Sequence, residues 1–167
     1  MRMENREMNT LYVLVGNIGS GKSTFTRKFI DEHPHNKIVC VSRDFLRYMV
    51  GGGKYIFYPP FEPVIFDCNE LIIERFMQEN FTDIVVDEVN ICLNYRDNYI
   101  RLAKKYGYKT VALVLPKLDK ETSVARRMKN DHGNQGKEIW ETVWDKFNRM
   151  YEEPTEEEFD EVRHIKD

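Results

Sequence analysis

Little in this sequence marks a secreted, membrane-bound or metal-stapled protein. Its three cysteines, Cys40, Cys68 and Cys92, are odd in number, far apart and never in a Cys-x-x-Cys pair. That argues against a disulfide framework and a zinc site, and fits a reducing cytoplasm. The four histidines (His33, His35, His132, His164) have no ligand spacing and read as ordinary surface residues. The longest apolar stretches, around Leu11–Val15 and Val111–Leu115, are too short to span a bilayer, so no membrane partner is expected. Met1–Asn9 mixes charge and polarity without an apolar core, which predicts a flexible N-terminus rather than an export peptide. There is no internal repeat and no low-complexity linker. At 167 residues, 41% hydrophobic and 32% charged, the chain reads as one globular domain over residues 1–167.

Charge of either sign is not in large excess, but it is unevenly spread. Residues 152–167 hold eight acids against Arg163 and Lys166, a local charge of −6, which leaves +3 on residues 1–151 of a chain whose net charge is −3. A mildly basic body suits an anionic substrate held locally and does not suit a long track along DNA. The acidic C-terminal segment reads as a solvated end in preference to a partner-binding one.

Apolar periodicity predicts alternating elements. Strands are expected at Thr10–Val15, Lys37–Val41, Ile84–Asp87, Lys109–Leu115 and Glu161–Ile165. Helices are expected at Lys22–Glu32, Arg43–Val50, Glu62–Asn80, Asn94–Tyr106, Lys120–Lys129 and Lys137–Tyr151. Within Glu62–Asn80 the buried members are predicted to be Ile65, Leu71, Ile72 and Phe76. Such alternation implies βαβ units in a three-layer α/β/α domain with a mostly parallel sheet.

The strongest chemical signal is Gly16-Asn17-Ile18-Gly19-Ser20-Gly21-Lys22-Ser23, the Walker A pattern Gly-x-x-x-x-Gly-Lys-Ser. It follows an apolar strand and opens an amphipathic helix, the setting a P-loop requires. Glycines let backbone N–H groups approach phosphate oxygens, and the helix start adds its positive dipole end. Gly16, Asn17, Gly19, Ser20, Gly21, Lys22, Ser23 and Thr24 are the expected ATP contacts. Lys22 reaches the β- and γ-phosphates, and the Ser23 hydroxyl is the expected Mg²⁺ ligand. Guanine specificity is unsupported, since Asn36-Lys37 is followed by Ile38-Val39 and not by x-Asp.

Every strand of a parallel sheet delivers its C-terminal end to one edge. Ser42-Arg43-Asp44-Phe45-Leu46-Arg47 follows the second strand and falls on the same rim as the P-loop. Asp44 there is either a general base for an attacking hydroxyl or a helix N-cap. Arg47, three residues on, can grip an acceptor phosphate. Asp87 ends an apolar strand and is read as a Walker B-type acid, holding Mg²⁺ through water or orienting the acceptor. Glu88 is the alternative in that role.

A P-loop followed by Ser-Arg-Asp-x-x-Arg after the next strand resembles the kinase domain of 5′-polynucleotide kinases, including the phage-type enzymes. The similarity runs from Thr10 to about Arg163 and takes in Val85-Val86-Asp87-Glu88-Val89-Asn90, Arg96, and the helix end at Ala103 to Gly107. The resemblance implies a P-loop NTPase fold with a small helical lid, general-base catalysis by Asp44, and acceptor contact by Arg47. It also implies a lid at residues 126–136, where Arg126 would join the ATP-binding set and Arg127 would act on the phosphoryl group in flight. Family lids often carry a second arginine nearer the glycine, where this chain has Asp131 and His132.

The expected activity is transfer of the ATP γ-phosphoryl group to a 5′-hydroxyl of DNA or RNA, in the cytoplasm (the host's, if the chain is phage-encoded). Kinases of smaller hydroxyl acceptors and a nucleotide-binding regulatory module are the rival readings. Tyr55-Ile56-Phe57-Tyr58-Pro59-Pro60-Phe61 reads as core packing under a loop in preference to a base-stacking surface.

Overall fold

The computed structural model describes residues 7–166; the expectations for residues 1–6 and Asp167 lie outside the described residues. Five strands form one sheet: β1 (Thr10–Val15), β2 (Ile38–Val41), β3 (Asp83–Val86), β4 (Lys109–Val114) and β5 (Glu161–His164). Their order is β2-β3-β1-β4-β5, and each pairing is parallel. The described helices are α1 (Lys22–Asp31), α2 (Arg43–Val50), α3 (Glu62–Glu79), α4 (Leu93–Tyr106), α5 (Lys120–Met128) and α6 (Lys137–Met150). Short 3₁₀ turns occur at Pro59–Phe61 and His132–Asn134.

The central strands β1, β3 and β4 are nearly continuous apolar runs because helices cover both faces of the sheet. Strand alternation sorts their side chains. Leu11, Val13, Val15, Ile84, Val86, Ala112 and Val114 pack with Ile73 and Met77 of α3 and Tyr99 and Ala103 of α4. Leu14, Val85, Val111 and Leu113 pack on the other side with Phe25, Phe29 and Ile30 of α1. The result is the expected three-layer α/β/α arrangement.

Two expectations are corrected here. In α3 the fully buried stripe is Ile65, Asn69, Ile73 and Met77, at a strict four-residue spacing, and Leu71 is exposed. Ile72 and Phe76 flank that stripe half-buried. The polar Asn69 hid the phase: its amide nitrogen donates to the Tyr99 hydroxyl at 3.3 Å, while its buried Oδ1 has no protein partner. The acidic segment is also not a solvated end. Arg96, with no exposed surface, forks onto Glu158 (Nε 2.6 Å, Nη2 2.9 Å). Phe159 is buried in the main core, and β5 extends the sheet beside β4. Opposite charge and one aromatic anchor fold this segment back onto the body.

The C-terminal ends of β1, β2, β3 and β4 open onto one rim. Backbone and side-chain bonds tie the loops there to one another. The Gly16 N–H donates to the Val89 carbonyl (3.0 Å) and the Asn90 amide to the Leu14 carbonyl (2.9 Å). Arg96 Nη1 donates to the Asn90 carbonyl (3.0 Å).

Candidate active site

The rim encloses a cavity of about 1010 Å³, lined on one side by the Gly19–Phe25 stretch and on the other by Arg43, Asp44, Arg47, Tyr55 and Phe57. Asp87 and Glu88 also line it, as do Arg126, Arg127, His132 and Trp140 from the lid segment and the helix after it.

The phosphate loop begins with geometry only glycine tolerates. Gly19 has φ +65°, and a Cβ there would lie 2.1 Å from the Ser123 carbonyl oxygen of α5. Gly21 has φ +96° and faces open space. It caps α1 without a side-chain hydrogen bond, and the first turn of α1 carries no acid. By contrast, α5 is capped by Asp119, whose carboxylate accepts from the Thr122 N–H. The free N–H groups at the start of α1 are therefore left for an anion. Lys22 Nζ donates to the Gly16 carbonyl (2.9 Å), the Asn17 carbonyl (2.7 Å) and Ser20 Oγ (3.4 Å), so its charge sits at the centre of the loop. Desolvation lowers its pKa to about 8, against upward pulls from Asp87, Asp44 and Glu88 and a further downward push from Arg127.

Asn17 turns away from the cradle. Its amide donates to the Trp144 carbonyl (3.1 Å) and its side-chain oxygen accepts from the Ile18 N–H (2.7 Å), joining the loop to α6. Ser20 is buried, whereas Ser23 and Thr24 are exposed to the cavity.

Asp87 follows β3 and is held by its own N–H donating to the Val41 carbonyl (3.0 Å). Burial raises its pKa, partly offset by the Lys22 ammonium and the Ser23 hydroxyl facing it. Glu88 points the other way, accepting from the Arg43 N–H (2.7 Å) and Arg43 Nε (2.9 Å). The two neighbouring acids are thus divided: Asp87 faces the phosphate loop, and Glu88 neutralises Arg43.

Asp44 lies in the first turn of α2, whose N-cap position is Ser42. Its Oδ1 accepts from Arg47 Nη1 (2.7 Å) and from the Tyr55 hydroxyl (3.1 Å). Burial pushes its pKa up, but Arg47, His132 and Arg127 outweigh that and hold it below the usual value. Arg47 is itself buried and forked onto Glu62 (Nε 3.0 Å, Nη2 2.5 Å). Its guanidinium is occupied by carboxylates, where the sequence pointed to an acceptor phosphate.

On the lid side, Arg126 is exposed at the cavity edge and Arg127 lies inside. The Arg127 guanidinium sits 4.2 Å from the Trp140 ring centroid, and its buried Nε has no hydrogen-bond partner. Ile18, Val124 and Trp140 form a small core that seats the lid on the phosphate loop.

Sequence reasoning missed several members of the site. His132 is not an ordinary surface residue: it bonds the Tyr48 hydroxyl (2.7 Å) and stacks on Tyr55 (5.0 Å between centroids, 15° between planes). Burial lowers its pKa, with Arg127 adding to the effect. Its signal was its place beside the lid glycine, where an arginine was sought. The aromatic loop also departs from the expected core packing, since Phe57, Tyr58 and Phe61 are about half exposed. Of these three rings, Phe57 lines the cavity, while Tyr58 and Phe61 lie outside its lining.

The arrangement fits a nucleoside triphosphate with a divalent cation: an uncapped helix start, a glycine cradle, a central lysine, and Ser23 facing Asp87. Among the described residues, no group of three His, Cys, Asp or Glu side chains is placed to hold a metal on its own. No described helix is long and apolar enough to cross a membrane.

A parallel sheet carrying a strand–P-loop–helix unit, a rim acid and a helical lid defines a P-loop domain of kinase type. Residues 11–154 match the family described as the AAA domain, and the chain belongs to that family. Among solved structures it is similar to a chain of the Pnkp1/Rnl/Hen1 complex, at 26% identity and a TM-score of 0.60, covering 81% of this chain and 43% of that one. This chain therefore spans less than half the length of that relative. It shares its fold with a fungal RNA kinase (17% identity, TM-score 0.61, 96% of this chain and 77% of that one). The same holds for Kti12 of Chaetomium thermophilum in complex with ADP-AlF3 (15%, 0.64, 93% and 88%). No curated protein matches the sequence.

Proposed function

We propose that the protein is an ATP-dependent kinase that transfers the γ-phosphoryl group to a 5′-hydroxyl of DNA or RNA. The observation that carries the reading is that Lys22, Ser23 and Asp44 line one cavity. Asp87 can serve the metal that nucleotide binding needs, so a second ionised acid, Asp44, in the same cavity is the group that favours transfer over binding alone.

In this reading the Asp44 carboxylate accepts the proton of the attacking hydroxyl while the new O–P bond forms. The β–γ bridging bond breaks, and ADP leaves with the displaced electron pair. The low pKa of Asp44 suits this role, because in a loose phosphoryl transition state the proton moves late and the base must be ionised. Lys22 and the N–H groups of the loop take up charge on the phosphate oxygens, and Arg127 adds a cation from the lid. Ser23, and Asp87 through water, would hold Mg²⁺, which would supply positive charge to the phosphates.

The test is end-labelling of a 5′-hydroxyl oligonucleotide with ATP and Mg²⁺, next to Asp44→Asn. The variant should bind ATP normally and lose about 10²- to 10⁴-fold in kcat, the usual contribution of a general base. Labelling of nucleosides in place of strands would move the acceptor to a small hydroxyl. Equal rates for the variant and the wild type would overturn the role of Asp44.

A further inference from the structure

On the acceptor side of the cavity, the arginines are already neutralised. Arg43 is paired with Glu88, and Arg47 with Glu62 and Asp44. Two guanidinium groups against three carboxylates leave this wall with a formal charge of −1. A phosphate entering here would have to displace a carboxylate from an arginine that already donates at hydrogen-bond distance, and would leave that carboxylate unpaired in a desolvated place. The wall is therefore poorly built to hold an acceptor by its phosphates.

It is better built to hold an aromatic ring. Phe57 is 54% exposed, Tyr58 52% and Phe61 48%. Phe57 and Tyr55 line the same cavity as Lys22 and Asp44, and Tyr58 and Phe61 follow Phe57 in the same loop, outside that lining. The rings are ordered by their neighbours. Arg47 lies 5.5 Å from the Phe57 centroid, and Tyr58 and Phe61 meet edge to face at 5.0 Å. Exposed rings fixed in this way need no reordering before a flat, apolar ligand lands on them.

Building on the kinase reading, we infer that the acceptor is held by stacking of its terminal nucleobases on the edge formed by Phe57, Tyr58 and Phe61, and not by a phosphate clamp at Arg47. Stacking tolerates any base, and it requires bases free of a partner strand. The substrate class is thus a single-stranded 5′-hydroxyl end of any sequence.

The experiment is a fluorescence-anisotropy titration of the whole chain with a labelled single-stranded 5′-hydroxyl oligonucleotide, run beside the labelling assay. Phe57→Ala should raise the strand Kd and KM by at least about fivefold, the lower end of what one base–aromatic stack is worth, with ATP affinity unchanged. Phe57→Trp should restore binding and Phe57→Leu should not, which separates a ring face from mere apolar bulk. Wild-type Kd should change by less than about threefold between about 50 and 200 mM salt, the change expected for a single phosphate contact on a single strand.

Three results would overturn the inference: no strand binding, binding insensitive to Phe57→Ala, or a steep salt dependence. A dimer in sedimentation that Phe57→Ala disperses would do so as well, by making the edge a contact between copies. Strand binding without phosphate transfer would sink the kinase reading and leave the stacking edge standing. Transfer that ignores Phe57 would do the reverse.

Discussion

At Lys22, desolvation and neighbouring acids pull in opposite directions, and desolvation prevails, bringing the pKa to about 8. A phosphate entering the loop adds negative charge beside the ammonium and raises that pKa again. The charged form is the one that binds, so nucleotide affinity is full below about pH 8 and falls as pH rises past it, by up to about tenfold per unit. Calorimetry across that range in buffers of different ionisation heat should detect proton uptake on binding. Affinity that stays flat to about pH 9.5 would mean that Lys22 is charged throughout. Asp44 shows the same opposition with the reverse outcome, because Arg47, His132 and Arg127 overcome its burial.

Among the elements, one buried ion pair, Arg96 with Glu158, ties α4 to the C-terminal segment. Arg96 also donates to the Asn90 and Glu152 carbonyls at 3.0 Å, so one side chain links α4, the loop after β3 and the chain leading to β5. Replacing Glu158 with Gln leaves a buried guanidinium without its countercharge. That should cost about 3–5 kcal/mol. For a domain of this size the loss corresponds to a drop in Tm of roughly 6–15 °C by differential scanning calorimetry. A shift under about 2 °C would show that water replaces the carboxylate at little cost. Arg96 was singled out by resemblance, but its partner could not be read from the sequence. Glu158 is 62 residues away, among acids that looked interchangeable.

For the whole molecule, the lid, the phosphate loop and the sheet rim are joined through close contacts. Gly19 abuts Ser123 of α5, and Ile18 packs with Val124 and Trp140. A nucleotide that fills the loop should therefore stabilise the entire fold. ATP with Mg²⁺ at about a hundred times its Kd should add about 2.7 kcal/mol. In a thermal melt that is a shift of roughly 5–10 °C. Lys22→Ala should melt at nearly the same temperature with and without ATP. A full shift in that variant would move the nucleotide away from the loop.

The sequence by itself determined the alternation of strands and helices, the position of the phosphate loop and the delivery of Asp44 and Asp87 to one rim. These features rest on local periodicity, on glycine geometry and on the polarity of a parallel sheet, all of which are carried by neighbouring residues. Tertiary structure decided which charges remained free. Arg47 meets Glu62 and Glu88 meets Arg43, so the arginines on that side of the cavity are neutralised by pairings that no spacing rule announces. It likewise decided that His132 stacks on Tyr55 and that the aromatic loop faces outward. Such contacts are set by how loops from different strands meet at the rim; the place of His132 beside the lid glycine hints at a site residue, but not at its partners.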